Sequence, residues 1–203
     1  MAAFHKRVIY VNRYALENDD FVEIDGKKYE IDMSFDNILR LFDLLKDKSL
    51  NDVTKIETGL IMLIDDSLDD YDTEEKADIF VQIFKNTVGG PKKKTQLVDL
   101  DGNPMPEMSE EDEKVFDLAQ DAEYIYASFM HTYGIDLFEQ QGKLHWKKFK
   151  ALLNGLSEDS IFSRVVGIRT AELPTGKGMA KERERLRKLK QKFALEEDDE
   201  DET

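Results

Sequence analysis

Alternating and helix-like patterns of apolar residues divide the chain into a short β segment and a series of helices. Residues 21–24 and 28–31 flank Asp25-Gly26, and Val22, Ile24, Tyr29 and Ile31 supply apolar positions for one face. Asp-Gly suits the two-residue turn of a hairpin, because glycine accepts a positive φ without a Cβ clash. A lone hairpin is marginal in water, so we expect it to pack on the helices that follow. Residues 8–11 are a candidate third strand.

Three segments of the N-terminal half carry apolar residues at helical spacing and are predicted as helices. The first is capped by Ser34, the second runs from about Asp52 to Ile64, and the third is capped by Thr73. The apolar side of the second helix is predicted to consist of Val53, Ile56, Leu60, Leu63 and Ile64. That of the third is predicted to consist of Ala77, Phe80, Val81 and Phe84, widened by Ile79 and Ile83.

Four more helices are predicted in the C-terminal half. The first begins between Ser109 and Ala119 and ends at Gly134, and the second runs from about His145 to Asn154. The third starts at a Ser157 cap, and the fourth runs from about Met179 to Leu195. Glycine at the end of a helix can adopt the left-handed conformation, which suits Gly134.

These elements predict a mainly α (α+β) fold, in which an N-terminal β-hairpin packs on a small helical bundle and a helical C-terminal half follows. The predicted regions are 1–88 (hairpin and three helices), 89–108 (linker or exposed loop), 109–175 (helical region) and 176–203 (basic helix and disordered acidic tail). The linker prediction rests on Gly89-Gly90-Pro91, a lysine run and two further prolines, all of which oppose regular structure.

Composition narrows the classes of function. The 203 residues carry a formal charge of −15 and contain no cysteine, which excludes disulfides, thiolate metal sites and cysteine nucleophiles. No apolar run approaches the roughly 20 residues that span a bilayer. The start of the chain, Met1 to Lys6, lacks the apolar stretch of a signal peptide. The net charge disfavours a general nucleic-acid binder.

The sequence offers no catalytic or metal-binding constellation. None of the three histidines forms a helical zinc pair, and His145 is interpreted as a capping or packing residue. The stretch Asp99 to Asn103 spaces oxygen ligands like an EF-hand loop, but Pro104 stands where that loop needs glycine. We therefore predict no enzyme, no cofactor and no metal.

Two features favour protein partners. Residues 177–192 hold eight basic and two acidic residues, together with a narrow apolar stripe of Leu186, Leu189 and Phe193. We rank two interpretations of this segment above nucleic-acid binding. It either docks on a protein, or it is a solvated helix whose positive charge is balanced by the acidic run at 196–202. Tyr124 and Tyr126 lie about 200° apart on one helix, so they are predicted to face different ways.

Particular motifs then show a family resemblance. Tyr133-Gly-Ile-Asp-Leu137 and Leu144-His-Trp146 lie within the longer segments 121–137 and 144–156. With Ile168-Arg169, the segment 184–195 and the early pattern 24–31, they resemble the gene-product-fifteen family of long-tailed phages of Gram-positive bacteria. The resemblance covers about Phe21 to Leu195.

The resemblance implies a phage tail assembly chaperone, a non-enzymatic protein that binds and solubilises the tape measure protein and helps recruit tail-tube subunits. It implies self-association along the tape measure, action in the bacterial cytoplasm, and absence from the mature virion. The alternatives are a structural component of the tail, or a small nucleic-acid-binding regulator that uses residues 177–192. No membrane partner is expected.

The predicted partner-binding residues are aromatic or apolar side chains of the helical half and the last helix: Tyr124, Tyr126, Trp146, Phe149, Leu186, Leu189 and Phe193. The alternative for each is ordinary packing between helices.

Overall fold

The computed structural model describes residues 20–88 and 115–196, and within them the chain forms one hairpin and seven helices. The elements are β1 (Phe21–Ile24), β2 (Lys27–Glu30), α1 (Phe35–Lys46), α2 (Asp52–Ile64), α3 (Thr73–Thr87), α4 (Ala122–Tyr133), α5 (Trp146–Asn154), α6 (Ile161–Thr170) and α7 (Ala180–Lys192). The mainly α (α+β) prediction is confirmed. The candidate strand at 8–11, the linker at 89–108, the EF-hand-like stretch and the acidic residues from 197 onward lie outside the described residues.

Contacts along the chain group its residues into two compact units. Unit one contains Met1–Thr95 and Gln140–Lys150, and unit two contains Gln96–Glu139 and Ala151–Thr203. These units group residues by contact, whereas the four regions predicted from the sequence follow chain order. The division into four regions stays a prediction.

The hairpin has the predicted turn. β1 and β2 pair antiparallel with Phe21 opposite Glu30 and Ile24 opposite Lys27. Asp25 and Gly26 both take positive φ, 47° and 84°, the conformation of a primed two-residue turn whose twist matches the strands. Val22 and Ile24 are fully buried, so the hairpin lies on the core through one face, as expected. The second strand ends one residue earlier than predicted.

Two predicted N-caps are wrong, because a different side chain accepts a free main-chain N–H group at the start of the helix. The N-cap of α3 is Asp72 rather than Thr73, and it forms a reciprocal capping box with Glu75. The N-cap of α6 is Ser160 rather than Ser157, which instead accepts the N–H of Ser160 in a preceding turn. Ser34 occupies the N-cap of α1, but its hydroxyl makes no capping hydrogen bond.

The start predicted for the fourth helix, between Ser109 and Ala119, is wrong, because α4 begins at Ala122. The Asp117 carboxylate accepts the N–H groups of Ala119 and Gln120, and the Asp121 carboxylate accepts the N–H of Asp117. Such side-chain bonds compete with the helical ladder and form a turn instead. The end at Gly134 is confirmed, with φ 65°.

The core of unit one is built around a continuous series of aromatic rings. Each neighbouring pair of rings has centroids 5.1–6.3 Å apart, and the series runs Phe35, Phe149, Trp146, Phe42, Phe84 and Phe80. The N–H of Phe35 donates to Leu144 and the N–H of Trp146 donates to Met33, so two distant segments pair through their main chains. This pairing places Trp146 and Phe149 in the core.

Two positions predicted on apolar helix faces are exposed instead. Val53 is 42% exposed and Val81 is 41% exposed. Helix α3 turns Ile79, Phe80 and Ile83 inward, and Val81 lies about 100° around the helix from Phe80. Because α3 carries apolar residues at consecutive positions, its sequence does not determine which face is buried. The contact with α2 determines that face.

Unit two packs α4 against α6 and α6 against α7. Phe129, Ile125, Phe162 and Val165 are buried in its core. The Ser128 hydroxyl accepts the N–H of Phe162 at 3.1 Å and donates to the Tyr124 carbonyl at 2.7 Å, which joins the two helices through a buried polar group. The Tyr133 hydroxyl donates to the Leu152 carbonyl at 2.9 Å.

A glycine comparison tests the packing of α2 on α3. A Cβ on Gly59 would lie 2.6 Å from the Phe80 ring, whereas a Cβ on Gly167 in α6 would meet nothing within 4 Å. We expect Gly59→Ala to lower the free energy of unfolding by about 1–2 kcal/mol despite the better helix propensity of alanine. Gly167→Ala, the matched control, should raise it by about 0.5–1 kcal/mol. Urea unfolding measures both, and a stabilising Gly59→Ala would contradict the packing.

Candidate protein-binding surfaces

Trp146 and Phe149, two predicted partner-binding residues, are core residues of unit one. They are 4% and 2% exposed, and their rings stack at 5.6 Å. Their burial corresponds to the packing alternative that the sequence left open. A partner could contact them only if unit one opened.

His145 has the capping and packing role that the sequence predicted. Its Nδ1 accepts the main-chain N–H of Lys147 at 3.0 Å in the first turn of α5. That bond leaves Nε2 as the N–H donor, and Nε2 lies in a very short contact with the buried carboxylate of Asp20. Lys147 Nζ contacts the other carboxylate oxygen at 3.1 Å. Both ring nitrogens therefore serve the structure.

The Asp20 carboxylate remains ionised although it is buried. Burial is the largest influence on its pKa and raises it. The hydrogen bonds from His145 and Lys147, together with the positive charge of Lys147, outweigh that influence and hold the pKa of Asp20 below its ordinary value of 3.8. The cluster ties the start of the hairpin to the start of α5 within unit one.

A second buried carboxylate anchors the end of α7 in unit two. Asp121 is 1% exposed and binds the Arg169 guanidinium through two contacts of 2.7 Å. Arg169 also donates to the carbonyls of Phe193 and Val115, and Lys190 donates to the carbonyl of Arg169 at 2.7 Å. A planar guanidinium can serve all these acceptors at once. The last helix is therefore held on its own unit.

The apolar stripe of α7 faces that unit. Leu186, Leu189 and Phe193 are all half-buried, and the Phe193 ring meets the Tyr124 ring at 6.1 Å. Tyr124 and Phe193, predicted as separate partner contacts, are thus brought together. Whether either binds a partner stays a prediction.

Tyr126 lies on a different side of α4, as predicted, and contributes to an exposed apolar surface. Its ring contacts that of Phe138 at 5.2 Å, and Phe138 is 70% exposed. Met130, one turn further along α4 on the same face, is also exposed. We call Tyr126, Met130 and Phe138 the α4 patch. Glu123, exposed one turn before Tyr126, adds negative charge beside it.

Sequence reasoning missed Met130 and Phe138. Phe138 follows Ile135 and Leu137 and is succeeded by the polar residues Glu139, Gln140 and Gln141. One large aromatic residue just before a run of polar residues, outside the predicted helices, was the available signal. Tyrosine, phenylalanine and methionine are enriched at protein interfaces, which makes this surface the better candidate.

Residues 20–88 and 115–196 contain neither a metal cluster nor a membrane-spanning helix. No group of three or more histidine, cysteine, aspartate or glutamate residues there could hold a metal ion. No helix among the same residues is long and apolar enough to cross a bilayer.

Comparison with known protein families gives a match over most of the chain. The model of the family described as Bacteriophage Gp15 protein matches residues 18–195. The chain belongs to the phage Gp15 family. It is accordingly a bacteriophage structural or morphogenesis protein, and this family is not a known enzyme family. Neither a curated protein nor a solved structure matches.

Several motif residues through which this Gp15 protein resembles its family have structural roles. Asp121 and Arg169 form the buried ion pair, and Leu144-His-Trp146 pairs with the start of α1. Gly134 ends α4 in the left-handed conformation. These motifs thus specify the two cores.

Acid titration tests the Asp20 cluster. Because the pKa of Asp20 is lower in the folded state than in the unfolded chain, its ionised form adds stability above about pH 4, and this is lost as pH falls through the folded-state pKa. We expect Asp20→Asn to cost about 1–3 kcal/mol at pH 7 and less at pH 3, measured by urea unfolding. Asp43→Asn, at an exposed position of α1, is the control. A cost independent of pH would contradict the assignment.

Substitution of Arg169 tests the anchoring of α7. Arg169→Ala leaves a buried carboxylate without its cation and should cost about 3–5 kcal/mol of unfolding free energy. Arg169→Lys keeps the charge but not the two-pronged geometry, so α7 amides should exchange hydrogen faster while α4 stays protected. Arg164→Lys, at an exposed position of the same helix, should change neither. Unchanged exchange of α7 in Arg169→Lys would show that this contact does not hold the helix.

Proposed function

We propose that this Gp15-family protein is a phage tail assembly chaperone, which binds and solubilises the tape measure protein and helps recruit tail-tube subunits. Family membership supports a role in the phage particle or its assembly. The observation that carries the finer proposal is the α4 patch, an exposed apolar surface on an otherwise strongly acidic protein.

The chemistry of the patch suits an amphipathic helix as ligand. A tape measure is a long helical chain whose apolar stripes are exposed before the tube encloses it. Tyr126, Met130 and Phe138 offer an aromatic and thioether surface that adapts to varied apolar side chains. Nearby Glu123 would favour a stripe flanked by basic residues.

Release matters as much as binding for a chaperone. Three apolar side chains form a small contact, so each site would bind only moderately tightly. Many copies along one tape measure, aided by self-association, would supply avidity without making any single site hard to vacate. The net charge of −15 would keep the coated complex soluble.

The place of action follows from this role. A protein that coats the tape measure before tube assembly acts in the bacterial cytoplasm and leaves before the virion is complete. The competing proposal, a structural component of the tail, requires that the protein remain in the mature virion. Mass spectrometry of purified virions distinguishes them, because a stoichiometric amount of this chain in mature particles would refute the chaperone role.

Co-expression with the tape measure tests the proposal directly. We expect the tape measure to become soluble and to copurify with the wild-type chain. Phe138→Ser should lower the soluble, bound fraction about tenfold, since it removes most of an exposed aromatic contact. Val53→Ser, which removes another exposed apolar side chain but from unit one, is the control. An insoluble tape measure with every variant would refute the function, and equal loss with both variants would refute the patch.

A further inference from the structure

Helix α7 carries a basic stripe that lies about 100° around the helix axis from its apolar residues. Lys181, Arg185, Lys188 and Lys192 are all exposed and follow the spacing i, i+4, i+7 and i+11. At 100° per residue they lie within about 60° of one another around the helix axis. We call these four residues the basic stripe.

The docking of α7 fixes the direction of this stripe. Arg169 and Lys190 bind at the end of the helix, and Leu186, Leu189 and Phe193 turn toward unit two. The stripe therefore lies about a quarter-turn around the helix from its docked side, where its four residues remain exposed. The Glu184 carboxylate lies 3.6 Å from Lys188 Nζ, but both side chains are more than half exposed, and such a pair is weak.

The chain leaves α7 at a fixed point beside one end of the stripe. The main-chain N–H of Glu196 donates to the Gln120 side chain at 2.8 Å, and the Gln120 amide donates back to the Glu196 carbonyl at 3.0 Å. Every residue from 197 to 202 is acidic, and Thr203 follows them. The acidic segment 197–202 therefore starts from a fixed residue, Glu196, which lies four residues beyond Lys192.

The lengths match as well as the charges. The 13 residues of α7 are about 20 Å long, and seven extended residues reach about 23 Å. Segment 197–203 is therefore long enough to follow the stripe from Lys192 back to Lys181. Because it belongs to the same chain, its effective concentration at the stripe is far above that of a separate ligand.

We propose that the acidic segment 197–202 binds along the basic stripe of its own α7. The contact neutralises the stripe. It would stop phosphate polymers from competing with protein partners, and it weakens as salt screens the exposed charges. The proposal does not depend on binding of the tape measure.

Paramagnetic broadening in the full chain tests the contact. The protein has no cysteine, so Thr203→Cys provides a single site for a nitroxide label. We expect amide signals of α7 to broaden at 20 mM salt and to recover at 500 mM salt. The control carries the same label with Lys181, Arg185, Lys188 and Lys192 replaced by glutamine, which preserves helix propensity. No broadening, or equal broadening in the control, would overturn the proposal.

A polyanion provides a second measurement. The probe is a 20-base-pair DNA duplex at 150 mM salt, titrated against the wild type and a chain whose residues 197–202 are changed to the matching amides. We expect the neutralised chain to bind at least tenfold more tightly, with the gain abolished by the four glutamine changes. Equal binding by wild type and neutralised chain would overturn the proposal, and tight wild-type binding would favour the nucleic-acid regulator instead.

Discussion

Burial of a carboxylate constrains both units, because a charged group removed from water must be met by cations and N–H donors in a fixed geometry. Asp20 meets His145 and Lys147 in unit one, and Asp121 meets Arg169 in unit two. In each case the partners come from far along the chain. The contacts therefore join segments that sequence order separates, and one of them determines where α7 lies.

The anchoring of α7 separates the two chemistries of that helix. Its apolar stripe, which the sequence suggested for partners, covers its own unit, while the basic stripe remains outside. The exposed apolar surface lies elsewhere, on the α4 patch around Phe138. The α4 patch and the basic stripe thus lie on different helices of unit two.

Local chemistry was the most predictable part of the fold. The Asp25-Gly26 turn, the bounds of α2 and the end of α4 at Gly134 follow from turn, cap and periodicity rules. Predictions failed where several residues could satisfy the same need. Asp72 displaces Thr73 as a cap because its carboxylate can form a capping box, and Val81 is exposed because α2 contacts the neighbouring face of α3.

The sequence by itself determined the type and order of the helices and strands, the absence of cysteine chemistry and the acidic charge, since these depend on residue type and short-range spacing. Through its motifs it also indicated the family. Only the tertiary structure decided which aromatic residues are core and which are surface. Trp146 is buried because a main-chain pairing with Met33 draws it inward, whereas Phe138 stays exposed beside Tyr126. Periodicity cannot distinguish them, because burial depends on contacts between residues far apart in the chain.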